Sequence, residues 1–394
     1  MSKQIEREVW ALDRCAGCGL CVATCSKGML YWDEEAKHPT REIRQKRIGL
    51  TEIPLDSCTF CQVFCEETCP RLHVWEGLPA RRMVSARARG PLESGEPMDV
   101  IKALLIANLS AGAIDGVIAN DVDGWELQPQ AKVMTRVEEV AESLGVQGLW
   151  VPTLDLLNEA VYERKLRDIA VVGTPCVSEG IRTLRASANE RLSPYRDALR
   201  LSIAVFCTGV YYPDPVRQFL EETMGIGGRE VRRVYASPRD KELRVVSWDG
   251  SMKTIPLSRI EGYTRPGCAS CNDFLGDSAD VAVGRVGAKE GYCTLITRSE
   301  VGDLCLENAL GLELVEVLEE VDEQALKSAK EEKGRRERAQ AFDDLMLMML
   351  DALREPQKRA EVRQEFVRLY EVESISGSTE EGTGHGTCGQ CAGC

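Results

Sequence analysis

From Asp99 to about Leu312, apolar residues recur with two different periods, one suited to helices and the other to strands. Helical spacing runs through "DVIKALLIANLSAG", "RVEEVAESLG", "LDLLNEAVYERKL", "VSEGIRTLRASA" and "PDPVRQFLEETMG". Between and after these stand short apolar runs rich in β-branched residues, "DGVIAN", "GLWVP", "DIAVVG" and "LSIAVFC", which predict strands. Such alternation predicts βαβ crossovers, and hence an α/β domain with a mixed, largely parallel sheet. "ELRVVSW" and "SMKTIPL" flank Asp249-Gly250, a dipeptide suited to a tight hairpin turn, and "ADVAVG" and "YCTLITRS" supply the last strands.

The flanks have another texture. Residues 1–78 are rich in cysteine and too poor in apolar residues to form a core without a metal or cluster at its centre. The stretch "GLPARRMVSARARGPLESGEP" reads as a linker, and its basic run as a solvated surface segment. Residues 79–313 then form the α/β domain, residues 314–372 a charged helical extension with an apolar block "LMLMMLDAL", and residues 373–394 a flexible tail.

The chain has 394 residues, 49 basic against 63 acidic, for a formal charge of -14, which argues against a general nucleic-acid binder. Its start, "MSKQIEREVWALDR", lacks the apolar run of a signal peptide, and "VIKALLIANLSAGAI" is broken by Lys102 and Asn108 and falls short of the roughly 18 residues of a span. A reducing, cytoplasmic setting is expected, with any membrane association coming through partners. There the 17 cysteines read as metal ligands rather than disulfides.

Eight of them fall in two clusters. Cys15, Cys18, Cys21 and Cys25 have the C-x2-C-x2-C-x3-C spacing of bacterial ferredoxins, in which the fourth cysteine serves the other cluster. Cys58, Cys61, Cys65 and Cys69-Pro70 repeat it with one extra residue in the middle gap. The expected ligand sets for two [4Fe–4S] clusters are therefore Cys15, Cys18, Cys21 and Cys69, and Cys58, Cys61, Cys65 and Cys25. Zinc also accepts C-x-x-C pairs, but four cysteines within eleven residues crowd a zinc site and suit a cubane. At the C-terminus, Cys388, Cys391 and Cys394 with His385 form either a further metal site or a tail of exposed thiols.

Cys176 in "GTPC" and Cys207 in "VFC" each follow a predicted strand, where open α/β sheets bind ligands, and "RPGCASCNDF" adds the pair Cys268 and Cys271. Four such thiols are enough for a third cluster. Cys293 and Cys305 read as core residues. The order "GTPC", "FC", C-x-x-C-x-D and "ADVAVGRVGAKEGYCTLITRS" resembles the coenzyme F420 hydrogenase/dehydrogenase beta-subunit family, over about residues 10–300. With two ferredoxin-type motifs in front, the chain is most similar to the electron-input subunits of F420H2 dehydrogenases.

The resemblance implies an iron–sulfur flavoprotein. Cys176, Cys207, Cys268 and Cys271 would hold a [4Fe–4S] cluster beside FAD. Gly173, Thr174, Pro175, Gly284, Gly287 and Gly291 would cradle the flavin, with Arg87 and Arg89 on its phosphates. Where family members have Gly-Gly, this chain has Gly95-Glu96. The implied activity is that of an oxidoreductase subunit passing electrons between reduced coenzyme F420, FAD and a chain of clusters leading to a partner redox subunit. Two alternatives are a ferredoxin-linked reductase that does not use F420, and a flavin-free electron-relay adaptor. No residue is assigned a catalytic role. His38 and His73 read as surface or structural residues.

Overall fold

The computed structural model describes residues 3–33, 35–41, 44–48, 51–55, 61–123, 128–143, 148–237, 240–354 and 362. Two compact units partition the chain, Met1–Glu337 and Arg338–Cys394.

The first unit is built on a mixed sheet of eight strands: β1 (Arg82–Ala88), β2 (Gly116–Asp123), β3 (Gln128–Met134), β4 (Ile169–Gly173), β5 (Leu199–Val205), β6 (Val281–Gly284), β7 (Cys293–Thr297) and β8 (Val315–Leu318). Their order across the sheet is β8-β1-β7-β6-β5-β4-β2-β3. The four central strands β2, β4, β5 and β6 pair in parallel, and antiparallel strands extend both sides. Five helices matter below: α1 (Pro97–Ser110), α2 (Pro175–Ala186), α3 (Pro213–Met224), α4 (Glu300–Gly311) and α5 (Glu323–Arg354). Among the described residues no helix is long and apolar enough to cross a membrane.

Strand side chains alternate between faces, so one sheet feeds two cores. Val117, Ala170 and Val172 face the core shared with Ile101 and Leu104 of α1 and Leu306 of α4. Their neighbours Ile118, Ile169 and Val171 face the other core, with Ile181 and Leu184 of α2. Cys18, Leu20, Ala23 and Phe64 from the cysteine-rich N-terminus belong to that second core. The N-terminal residues thus fold onto the sheet instead of hanging from it by a linker.

Several elements depart from the sequence expectations. The basic run read as a solvated linker is β1, an inner strand in which Val84, Ser85, Ala86 and Ala88 are fully buried. The arginines within and beside it are held by acids: Arg81 by Asp303, Arg82 by Glu319, Arg87 by Glu93 and Arg89 by Glu316. "GLWVP" is no strand, since Leu149 makes only an isolated bridge to Tyr211. "LDLLNEAVYERKL" forms a 3-10 turn at Thr153–Leu156 and a π turn at Glu159–Glu163. The Asp249-Gly250 hairpin forms and gains a third strand, Val231–Ser237. Val315–Leu318, expected in a helical extension, pairs with β1 as a sheet edge. In the second unit, Phe342, Met346 and Met349 on α5 are exposed at helical spacing.

Candidate functional site

Cys15 and Cys18 lie on a loop that leads into the short helix Leu20–Ala23, Cys21 lies in that helix, and Cys69 precedes the 3-10 turn Pro70–Leu72. These four thiols come together: the electrostatic neighbours of Cys21 are Cys18, Cys15, Cys69 and Cys65. Burial pushes the Cys18 and Cys21 thiols well above the ordinary cysteine value, and Cys69 up to about 12. A thiol this deeply buried gives up its proton readily only to a metal that takes the proton's place.

Cys25 and Cys65 pack against this group. The Met29 N–H donates to the Cys25 sulfur and the Val63 N–H to the Cys61 sulfur, each at 3.4 Å. Ser26, standing where proline commonly follows the fourth cysteine, puts its hydroxyl 3.9 Å from the Cys61 sulfur and so ties the two loops together. Cys58, Cys388, Cys391, Cys394 and His385 lie outside the described residues.

The other four cysteines meet at the carboxyl ends of the parallel strands. Cys176 opens α2 just after β4, and Cys207 follows β5. Cys268 and Cys271 come from the loop before β6, and the Val210 N–H donates to the Cys268 sulfur at 3.5 Å. Cys268, Cys176 and Cys271 are all neighbours of Cys207. Burial pushes both Cys176 and Cys207 up to about 12. Cys176 is also the first thiol neighbour of Cys18, so the two cysteine groups adjoin. Among the described residues no three His, Cys, Asp or Glu side chains stand at the spacing of a single metal ion. Soft thiolate donors in fours are the ligand set of iron–sulfur clusters, so both groups fit one.

Three cations, none singled out by the sequence pattern, surround these groups. Arg265 is buried, donates to the Cys15 and Lys37 carbonyls at 3.2 Å, and places its guanidinium 4.5 Å from the Trp150 ring centre and 5.2 Å from that of Trp32. Arg71, from the N-terminal segment, pairs with Glu179 at 3.6 Å and has Cys271 as an electrostatic neighbour. Lys333 of α5 is buried and donates to the Cys207 and Asp273 carbonyls at 2.7 Å each. Arg265 stands three residues before Cys268, which was a usable signal. Lys333 sits in a run of charges with nothing to set it apart.

Beside Cys207 opens a narrow cleft, lined by Thr174, Phe206, Gly209, Gly284, Arg285 and Pro97 among others. Gly173-Thr174-Pro175 turns from β4 into α2, and Gly284 ends β6 so tightly against Phe206 that a Cβ would stand 2.1 Å from that ring. Gly287 packs under Leu326 of α5, and the Gly291 carbonyl lies where a Cβ on Gly95 would meet it at 2.0 Å. Glu96, at the N-terminus of α1, accepts a hydrogen bond from Arg285. The Arg285 Nε is buried without a partner among the described residues, so the cleft holds an unused donor suited to an anionic group. That donor and the glycine turns are of the kind that suits the phosphates of a flavin nucleotide. Arg87 and Arg89 do not line the cleft.

The remaining candidates are structural. Cys293 and Cys305 are core residues. His38 stacks on Trp10 at 5.2 Å, and His73 is exposed.

Fold and thiol arrangement define a mixed α/β protein with a ferredoxin-type domain folded onto its sheet. Comparison with known proteins makes the class specific: residues 14–72 match the 4Fe-4S dicluster domain, residues 83–158 the N-terminal part of the coenzyme F420 hydrogenase/dehydrogenase beta subunit, and residues 166–323 its C-terminal part. An uncharacterized protein of Methanocaldococcus jannaschii is 32% identical over 357 residues, covering 85% of this chain and 97% of that one. A subunit of the F(420)H(2) dehydrogenase of Methanosarcina mazei is 28% identical over 75% of this chain and 82% of its own length. A chain of the F420-reducing [NiFe] hydrogenase complex from Methanosarcina barkeri shares the fold, with a TM-score of 0.62 and 22% identity over 69% of this chain and 95% of that one. The protein belongs to the coenzyme F420 hydrogenase/dehydrogenase beta-subunit family and carries an N-terminal 4Fe-4S domain, the equipment of iron–sulfur electron transfer.

Proposed function

We propose that this chain is the subunit that exchanges electrons between reduced coenzyme F420 and a partner redox protein. FAD would lie in the cleft beside Cys207, and three [4Fe–4S] clusters would lead away from it. Cys176, Cys207, Cys268 and Cys271 hold the cluster nearest the cleft. Cys15, Cys18, Cys21 and Cys69 hold the next, and Cys25, Cys58, Cys61 and Cys65 the last. When bound, a flavin converts two-electron hydride transfer into the single-electron steps that clusters accept.

One relationship supports this reading above the others: Cys207 lines the cleft while its neighbour Cys176 adjoins Cys18, so the third thiol group lies between the cleft and the ferredoxin-type domain. The protein's own part is positioning and insulation. Thr174 and Gly284 line the cleft, with Gly173 and Pro175 in the turn on either side of Thr174, while Gly287 and Gly291 lie outside its lining; Arg285 offers a cation, and the buried loops keep water from the thiols.

Anaerobic purification with quantitation of iron, sulfide and released flavin tests the reading. About twelve irons and one FAD, with flavin reduced by F420H2, are expected. About twelve irons with no flavin and no response to F420H2 would overturn the hydride step. A second reading, a flavin-free relay adaptor, draws on the Glu96–Arg285 pair, which already occupies one donor of the cleft's cation. It predicts iron without flavin in the same measurement.

A further inference from the structure

We propose that Lys333 and Arg71 are positioning residues that hold two buried positive charges against the centre formed by Cys176, Cys207, Cys268 and Cys271, and thereby raise its reduction potential. This rests on the reading of those four cysteines as cluster ligands.

The two side chains approach the same thiols from outside the sheet domain. Arg71 comes from the N-terminal segment and has Cys271 and Cys176 among its electrostatic neighbours. It also donates to the Gly267 carbonyl at 3.4 Å, next to Cys268. Lys333 comes from α5, beyond residue 323 where the family match ends. Leu326 and Ala329 seat α5 against Phe206 and Phe274, and Lys333 follows on the same helical face. Its ammonium, 5% exposed, donates at 2.7 Å to the carbonyls of Cys207 and Asp273.

Burying a lysine is unfavourable unless something compensates its charge. Two carbonyl oxygens satisfy its hydrogen bonds but cancel no charge. The acids close by are already engaged: Glu179 pairs with Arg71 at 3.6 Å, and Asp273 accepts from the Gly276 and Asp277 N–H groups at 2.8 and 3.1 Å. Asp273 keeps its charge and supplies part of the balance, and the thiols Cys271, Cys207 and Cys268 that surround the ammonium supply the rest as thiolates. A cluster held by four thiolates gains a further negative charge on reduction, and a cation beside it in a poorly screened interior favours that reduced form. The same charge draws α5 onto the centre, so the helix seals it from water.

The test uses the full chain, purified anaerobically, with iron quantitation followed by an EPR-monitored redox titration of wild type, Lys333→Met, Lys333→Arg and Lys330→Met. Lys330 lies on the same helix and donates to Asp277 at 2.5 Å, so it controls for a loosened helix. In K333M, unchanged iron with one centre at least tenfold harder to reduce, about 59 mV more negative, supports the proposal, as do K333R and K330M near wild type. Unchanged iron and unchanged potentials in K333M overturn it. Should K333M lose the irons of this centre, K333R decides: retained iron at the wild-type potential supports the need for charge, and equal loss overturns it. Wild-type protein with iron for only two clusters would overturn the ligand reading itself, before any variant is compared.

Discussion

Gly267 lies so close to the Cys15 carbonyl that a Cβ on it would stand 2.1 Å from the oxygen. The loop carrying Cys268 is thus pressed against the backbone of the first ferredoxin-type cysteine, with the Trp150 indole N–H donating to the Gly17 carbonyl at 3.0 Å beside it. The atom that would clash is backbone on both sides, so neither loop can relieve the contact by a rotamer change. Gly267→Ala is expected to destabilise the protein by about 1–3 kcal/mol through overpacking. Thermal unfolding followed by the visible absorbance of the clusters measures this, and an unchanged midpoint would mean that the loops are less tightly joined.

Cys207 links the cleft to the thiol group, so its loss is expected to act on one centre alone. Cys207→Ser should remove about four of about twelve irons and leave the N-terminal complement intact, because the other two sets share no ligand with it. Iron analysis with EPR of the reduced protein checks both halves of the statement. Loss of all iron would show instead that the three centres assemble as one unit.

Arg87 and Arg89 illustrate why a basic run need not mark a phosphate site. They project from an inner strand toward Glu93 and Glu316, at 3.3 and 2.7 Å, on an exposed surface. Surface pairs of this kind contribute less than about 1 kcal/mol each. The double alanine variant is therefore expected to fold normally and keep its flavin content, measured as flavin released by acid from equal amounts of protein. A loss of flavin would return these arginines to the cofactor site.

The same strand shows where sequence pattern stops being legible. The helical periods of α1, α2 and α3 and the apolar runs of β4 and β5 stand out because one face or both are buried. In β1 the buried Val84, Ala86 and Ala88 alternate with Met83, Ser85 and Arg87, a strand pattern, but small side chains and the cations around them give it the look of a linker. The cysteine spacing was legible for a different reason. Ligand geometry restricts short-range sequence, so Cys15, Cys18 and Cys21 announce themselves, and the meeting of Cys69 with them followed from ferredoxin spacing. Arg71 and Lys333 left no trace because a buried cation is defined by what the fold brings to it, and the thiols Cys271 and Cys207 that they approach are remote in sequence.

Glu96 and Arg285 set the terms on which an anionic cofactor enters the cleft. The carboxylate occupies an Arg285 Nη1 donor, while Nε is left without a partner among the described residues. A flavin phosphate bound as proposed would share that guanidinium with Glu96 and meet the charge of its carboxylate. Glu96→Gln keeps the shape and removes the charge, so flavin affinity is expected to rise about tenfold, equivalent to about 1.4 kcal/mol. Arg285→Met should lower affinity by at least as much, since it removes the charge-assisted donor and leaves Glu96 unpaired. Titration of flavin-depleted protein with FAD, followed by quenching of flavin fluorescence, gives both values. Equal affinities in wild type and both variants would place the flavin phosphates away from Arg285 and free the Glu96–Arg285 pair for a purely structural role.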